Sequence, residues 1–336
     1  MKKGYLCIIL ATFFFSSMEI ALKLSAGNFN AIQLTFLRFL IGGIVLLPLA
    51  VHEIKKKKTV FHAKDLGFFA LTGFICVVVS MILFQVSVVY APASTVAVLF
   101  SCNSVFVVLF AYLFLREHIR KHTIISIFVS VAGMVVIINP MHFTGSVLGV
   151  LCALGAAVTF ALYNVVGRTR SDRFGGITLT CISFLLGCAE MLVLIGISHI
   201  PSFASACSRN ASLAMFSAIP LFAGVTLQNF PGLLYVGICV TGLGYTFYFL
   251  AMEETNAATA SLVFYIKPVL APIFALLILH EAISGQMIAG IVLIIIGSLI
   301  AFIPGIRPKK GADLKEDMRE IETEFEAEND EIDMKP

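Results

Sequence analysis

The chain has no tryptophan, and only 13% of its residues are charged. A soluble domain carries about 25% charged residues, so a water-facing surface of ordinary polarity is excluded. There is no His-Glu-x-x-His pair, no phosphate-binding P-loop and no Gly-x-Gly-x-x-Gly opening a helix. These absences argue against zinc hydrolysis, ATP-driven pumping and dinucleotide chemistry, and no cofactor or metal is expected. A disulfide framework is also missing. Cys7, Cys76, Cys102, Cys152, Cys181, Cys188 and Cys239 lie inside apolar stretches, and only Cys207 falls in a loop.

What is present is apolar length. Hydrophobic residues make up 59% of the chain, gathered into runs of about 20 residues, enough to cross a bilayer core. The runs predict ten spans at 5–25, 31–51, 66–88, 93–115, 123–138, 147–166, 177–197, 233–252, 257–279 and 287–303. Lipid offers no partner to a free backbone N–H or C=O, so the spans must be helices. Short alternating segments, the mark of a membrane barrel, do not occur. The fold class is therefore an all-α integral membrane protein. The first run follows Met-Lys-Lys as a secretory signal would, but it is too long for one and carries Glu19 and Lys23.

Charge sets the expected orientation. With the amino terminus in the cytoplasm, Lys2, Lys3, Lys55 to Lys58, Lys64, Arg116, Arg120, Lys121, Arg168, Arg170, Arg173 and the basic residues of the tail all face inward. The outside loops hold only Arg209. The positive-inside rule thus predicts both termini cytoplasmic, in a plasma (inner) membrane. The tail, 307–336, carries six basic and eleven acidic residues and is expected to be disordered. A basic membrane body calls for no nucleic-acid partner; the expected partners are membrane lipids and a small-molecule substrate. The run Lys55 to Lys58 reads as an orientation signal, with an anionic-lipid contact as the lesser alternative.

The sequence repeats itself. At an offset of 145, Gly4, Cys7, Phe15, Thr35 and Gly42 match Gly149, Cys152, Phe160, Thr180 and Gly187. At 164, Gly73, Ala93, Phe100, Glu117, Gly133 and Pro140 match Gly237, Ala257, Phe264, Glu281, Gly297 and Pro304. The change of offset places an insertion in the longest loop, between spans seven and eight. An odd number of spans per half forces the second half in upside down, giving two inverted five-helix repeats at 1–140 and 145–304. Such repeats carry their substrate site near the midplane, between halves that rock about it.

With two five-span halves, Thr-Phe-Leu-Arg-Phe-Leu at 35–40, the Leu-x-x-x-Glu ends at 113–117 and 277–281, and Lys-Pro-Val at 267–269, the chain resembles the drug/metabolite transporter superfamily, specifically its ten-span EamA exporters. The resemblance covers about 5–304 and implies solute transport. The chain departs from the pattern at Ser104, where the family proline falls, and at Lys267, where an acidic residue is common.

Charged groups inside spans cost roughly 2.5–3.5 kcal/mol each on insertion scales and mark functional sites. Five qualify: Glu19, Lys23, Arg38, Glu190 and Lys267. Counting 1.5 Å per residue, Glu19, Arg38 and Glu190 lie roughly 10 Å below the outer surface and Lys267 about 15 Å from either face. Glu19 and Lys23 stand at i, i+4 in the favourable order, so a self-neutralised pair is expected. Arg38 has two open readings, internal pairing with Glu19 or Glu190 and contact with substrate. Glu190 is either a proton carrier or a structural acid. Lys267, deep and beside Pro268, is expected to contact substrate. Polar residues that could line the same cavity are Ser16, Ser17, Gln85, Asn103, Tyr163, Asn164, Tyr245, Tyr248 and Tyr265, against a plain role in helix–helix hydrogen bonding. The substrate-binding candidates are Lys267, Arg38, Glu19, Glu190, Asn103, Tyr163, Asn164 and Tyr248.

The expected function is secondary export of a small polar or amphipathic metabolite, such as an amino acid or drug-like compound. The alternative is exchange of an anionic solute such as a sugar phosphate or nucleotide sugar. An embedded enzyme would need convergent His, Asp, Glu or Cys sets, and a sensor would need a folded output domain; neither pattern occurs. Asn210-Ala-Ser212 fits a glycosylation sequon in an outside loop.

Overall fold

A computed structural model describes residues 2–116, 121–138, 146–210, 213–255, 257–260 and 262–306. Glu117, Pro140, the sequon residue Ser212 and the acidic tail lie outside them. Every element among the described residues is helical. Eight helices are long and apolar enough to cross a membrane. They are α1 (Lys3–Ser25), α2 (Ala31–Lys57), α3 (Ala63–Tyr90), α4 (Ala93–Leu115), α6 (Val147–Phe174), α7 (Gly176–Ser198), α8 (Phe230–Glu254) and α9 (Leu262–Leu279). The remaining two expected spans, 123–138 and 287–303, fall on α5 (Lys121–Ile138) and α10 (Gly285–Ile306), apolar helices that are not among these eight and that adjoin residues outside the described set. A short helix, Pro201–Ser208, interrupts the long loop. It contains Cys207, which is buried rather than free in a loop.

Helix ends follow local chemistry. Asn30 opens α2 with a capping box: its side chain accepts from the Ile32 and Gln33 N–H groups, while Gln33 accepts from the Asn30 N–H. Between α6 and α7 the chain turns at Gly175, whose φ of +86° suits glycine. The Glu53 carboxylate of α2 then accepts from the Thr178 N–H and Oγ–H, each at 2.7 Å, in the first turn of α7. α2 and α6 run past their expected ends at 51 and 166, because their basic residues continue the helix.

Several helices are irregular where the site lies. α1 breaks at Ser17, whose hydroxyl donates to the Phe14 carbonyl and bonds the Tyr235 hydroxyl at 2.7 Å. α3 and α8 each contain a π segment, Phe74–Ser80 and Tyr235–Leu243, a feature common at functional sites.

α1 packs on α8 and α9, and α6 packs on α3 and α4. α2 packs on α7 and α8, α3 on α7, α4 on α9, and α5 on α10. The α3–α7 crossing is a backbone contact: a Cβ added at Gly73 would stand 2.6 Å from the Ser183 carbonyl oxygen and 2.7 Å from the Gly187 nitrogen. Bilayer helices associate through such small-residue approaches.

The two ends of the bundle differ. At one end Asp65 of α3 takes Arg170 and Arg173 of α6, at 3.0 and 2.8 Å, and Lys57 donates to the Asp172 carbonyl. At the other, Lys23 of α1 donates to the Val88 and Ala91 carbonyls at 2.7 and 2.8 Å. There too Glu281 accepts from the Ala93 N–H, the Ser94 N–H and the Ser94 hydroxyl. The carboxyl end of α1 and the amino end of α6 meet the same 88–91 segment, the latter through Gly149 against Ala91. α1 and α6 therefore run in opposite directions.

Candidate functional site

Three charged side chains from three helices converge in the bundle interior. Glu19 of α1, Arg38 of α2 and Lys267 of α9 are all buried. Lys267 Nζ lies 2.8 Å from Glu19 Oε1 and 5.3 Å from the centre of the Phe100 ring. Two charges taken out of water repay the desolvation only when paired closely, and the ring face adds a cation–π contact. Lys267 stands where α9 is least regular. Pro268 and Pro272 have no N–H to give, so the Phe264 and Pro268 carbonyls lose their helical donors.

Arg38 is held differently. Its guanidinium lies 4.6 Å from the Phe39 ring centre and 5.9 Å from that of Phe84, with Nη2 3.4 Å from the Met81 sulfur. Among the described residues no carboxylate lies within ion-pairing distance, and Nε makes no hydrogen bond. With Glu19 negative and Lys267 and Arg38 positive, the cluster carries one excess positive charge. Ser16 Oγ, Glu19 Oε2 and both amide atoms of Gln85 are likewise buried without a hydrogen bond. Unsatisfied buried polar atoms are rare in proteins, and two of these, Glu19 Oε2 and Arg38 Nε, belong to the charged cluster itself.

Arg38 and Lys267 border a cavity of about 30 Å³ walled by Phe15, Met18, Phe39, Met81, Phe100, Phe160, Tyr245 and Phe264, with Thr241 as a further polar group. That volume suits ordered water rather than a metabolite. Tyr245 is among the residues expected from sequence to line the cavity, but the phenylalanines of its wall are not: with 30 Phe in the chain, nothing distinguishes these from phenylalanines that face lipid.

The expected Glu19–Lys23 pair does not form. Glu19 pairs with Lys267 instead, and Lys23 swings to the end of α3, where terminal carbonyls and the helix dipole attract a cation. Of the other candidates, Tyr248 packs edge-on against Phe264, one wall of the cavity. Tyr163 is buried behind Phe160, and its hydroxyl donates to Thr180 Oγ1 at 3.3 Å. α4 is interrupted at Cys102, and there Asn103 folds back on its own helix, donating to the Phe100 carbonyl. Asn164 is partly buried on α6. Glu190 is partly buried, and its Oε2 has no hydrogen bond; no described contact joins it to Arg38. Of the eight, three form the charged cluster, and Tyr248 reaches its wall.

Comparison with known proteins places the chain among membrane transporters. The model of the EamA-like transporter family matches twice, at residues 2–139 and 147–303. An uncharacterized transporter of Clostridium kluyveri is 42% identical over 94% of this chain and 97% of its own length. A pseudopaline exporter of Pseudomonas aeruginosa is 24% identical, over 93% of this chain and 98% of its own. A probable terminal-alkyne amino-acid exporter of Streptantibioticus cattleyicolor is 22% identical, over 88% and 94%. A solved crystal structure superposes with a TM-score of 0.61 at 19% identity, over 92% of this chain and 98% of that one, a likeness of fold. From the double family match and the close full-length relative it follows that the chain is an integral membrane protein belonging to the EamA-like transporter family.

Proposed function

We propose that the chain exports a small zwitterionic metabolite of the amino-acid type, by alternating access, with Arg38 receiving the solute's carboxylate and Glu19 its ammonium group. The observation that carries this reading is the state of Arg38: a buried guanidinium with no carboxylate partner among the described residues, beside a Lys267–Glu19 pair that a zwitterion can enter. A solute carboxylate would satisfy Arg38, and its ammonium would compete with Lys267 for Glu19. The aromatic wall suits an apolar side chain. Two relatives named as exporters, one of an amino acid, lean the same way.

Alternating access rests on ten spans in two inverted five-helix repeats, both termini cytoplasmic. Exchanging α1 with α6, α2 with α7, α3 with α8, α4 with α9 and α5 with α10 turns the observed set of main helix contacts into itself. The exchange also carries the π segment of α3 onto that of α8. The opposite directions of α1 and α6 support inversion, and the basic residues gathered at one end support the orientation. A 30 Å³ cavity cannot admit a metabolite until the halves part.

The test is counterflow in proteoliposomes. Loaded zwitterionic amino acids should drive exchange, and Arg38→Gln should abolish it. Their amides, which lack the carboxylate, should not distinguish Arg38→Gln from the parent. A second reading, anion exchange, draws on the one excess positive charge of the cluster. It prevails if sugar phosphates drive counterflow and amino acids do not.

A further inference from the structure

The long segment at 199–229 lies at the end of the bundle away from the basic loops, and its composition is unusual for a water-facing loop. It holds one charged side chain, Arg209, and no acidic residue. Ile219 points inward and is buried, and Met215, Phe216 and Val225 pack on the core. Two large side chains point the other way: Phe222 is 69% exposed and Leu227 is 95% exposed.

Phe222 is displayed by a fixed turn. The buried Gln33 amide at the start of α2 donates to the carbonyls on either side of it, Leu221 at 3.1 Å and Ala223 at 2.7 Å. Asn30 holds Met215 through a 2.8 Å bond to its carbonyl. Gly224 follows with a φ of +81°, and a Cβ there would stand 2.3 Å from the Asn28 carbonyl oxygen. The buried Gln33, the partly buried Asn30 and a glycine-only conformation thus fix the turn that exposes Phe222.

The covering medium can be read from what adjoins the segment. Gln228 and Asn229 continue into a 380 Å³ groove walled by Phe13, Leu24, Phe274 and Ile278, residues of the bilayer-facing helices α1 and α9. Phe230, at the start of α8, is 42% exposed. Through Gln228 and Asn229, which follow Leu227, the segment thus adjoins the helix surfaces that lipid covers. A nearly uncharged, phenylalanine- and leucine-bearing segment at that level suits the headgroup–acyl boundary. We infer that the 219–229 stretch lies in the bilayer interface, with Phe222 and Leu227 as side chains inserted among the lipids.

The absence of tryptophan makes the test clean. Phe222→Trp, Leu227→Trp and, as a polar-site control, Ser205→Trp each give a single emitter in nanodiscs whose scaffold protein lacks tryptophan. The first two should emit at shorter wavelength than the control and lose roughly half their intensity to spin-labelled phospholipid, while resisting aqueous iodide. Ser205→Trp should behave in the opposite way. Having two reporters guards against one variant failing to fold. Iodide quenching of both to the control's level overturns the inference in favour of a water-exposed loop. Shielding of both from iodide without quenching by lipid also overturns it, in favour of a protein partner or a second copy.

Discussion

Lys267 and Glu19, on helices α9 and α1, meet at 2.8 Å inside the bundle, while Lys23, one helical turn beyond Glu19, binds carbonyls at the end of α3. Glu19 thus bonds across the molecule rather than along its own helix. Removing one partner leaves a buried charge unpaired, at a cost of about 3–5 kcal/mol, whereas removing both together is often nearly neutral. Lys267→Met alone should accordingly lower thermal stability and membrane abundance. Glu19→Gln with Lys267→Met should restore both, and transport should stay absent. Recovery of transport in the double variant would remove the pair from the substrate site.

Orientation is checked with cysteines. Native Cys207 is buried, so it should react slowly with a membrane-impermeant thiol reagent. Ser208→Cys, on the exposed part of the same short helix, should label quickly in intact cells. Lys57→Cys, at the basic end, should label only after permeabilisation. The reverse pattern would place the termini outside.

The α3–α7 crossing should tolerate nothing larger than glycine. Gly73→Ala drives a methyl into backbone atoms of Ser183 and Gly187, which cannot turn aside as a flexible side chain would. Overpacking of this kind costs typically 1–3 kcal/mol. Gly27→Ala, with open space around it, is the control. Unfolding temperature in detergent should fall for Gly73→Ala and hold for Gly27→Ala.

The sequence made some of this legible and not the rest, for identifiable reasons. The apolar stretches are readable because a bilayer demands length and hydrophobicity of every span. Depth along a span is also readable, since the rise per residue is fixed; Glu19, Arg38 and Lys267, expected at neighbouring depths, do form one cluster. The direction a side chain points is not readable when a helix is apolar nearly all round. Glu190, at a similar expected depth on α7, has no described link to Arg38 for that reason. The spacing of Glu19 and Lys23 offered a local pair, but partner choice depended on the register of α1 against α9 and on the free carbonyls at the end of α3, which no spacing records. Glu281 stood out as a repeat match to Glu117, yet its hold on α4 became visible only in three dimensions.

That hold supplies the last prediction. Glu281 follows α9 and accepts from the Ala93 N–H at 2.8 Å, the Ser94 N–H at 3.0 Å and the Ser94 hydroxyl at 2.7 Å, closing the first turn of α4. Helix-opening N–H groups have no partner of their own, and a carboxylate there also meets the positive end of the dipole. Lys23 does the complementary thing to the last carbonyls of α3, just before the same junction. The short α3–α4 link is therefore gripped by α1 and α9, the two helices that carry Glu19 and Lys267. If solute drew Lys267 away from Glu19, α1 and α9 would be freer to part, and the grip on the link would loosen with them. Glu281→Ala removes three acceptor contacts and should cost about 1 kcal/mol, the usual worth of a cap. Hydrogen exchange should quicken at the Ala93 and Ser94 amides in that variant, and further when Lys23→Met is added, while amides in the α5–α10 pair stay unchanged. Addition of a transported solute to the parent protein should quicken exchange at the same two amides. Exchange there that ignores both the substitutions and the solute would show that the clamp is static and takes no part in opening the bundle.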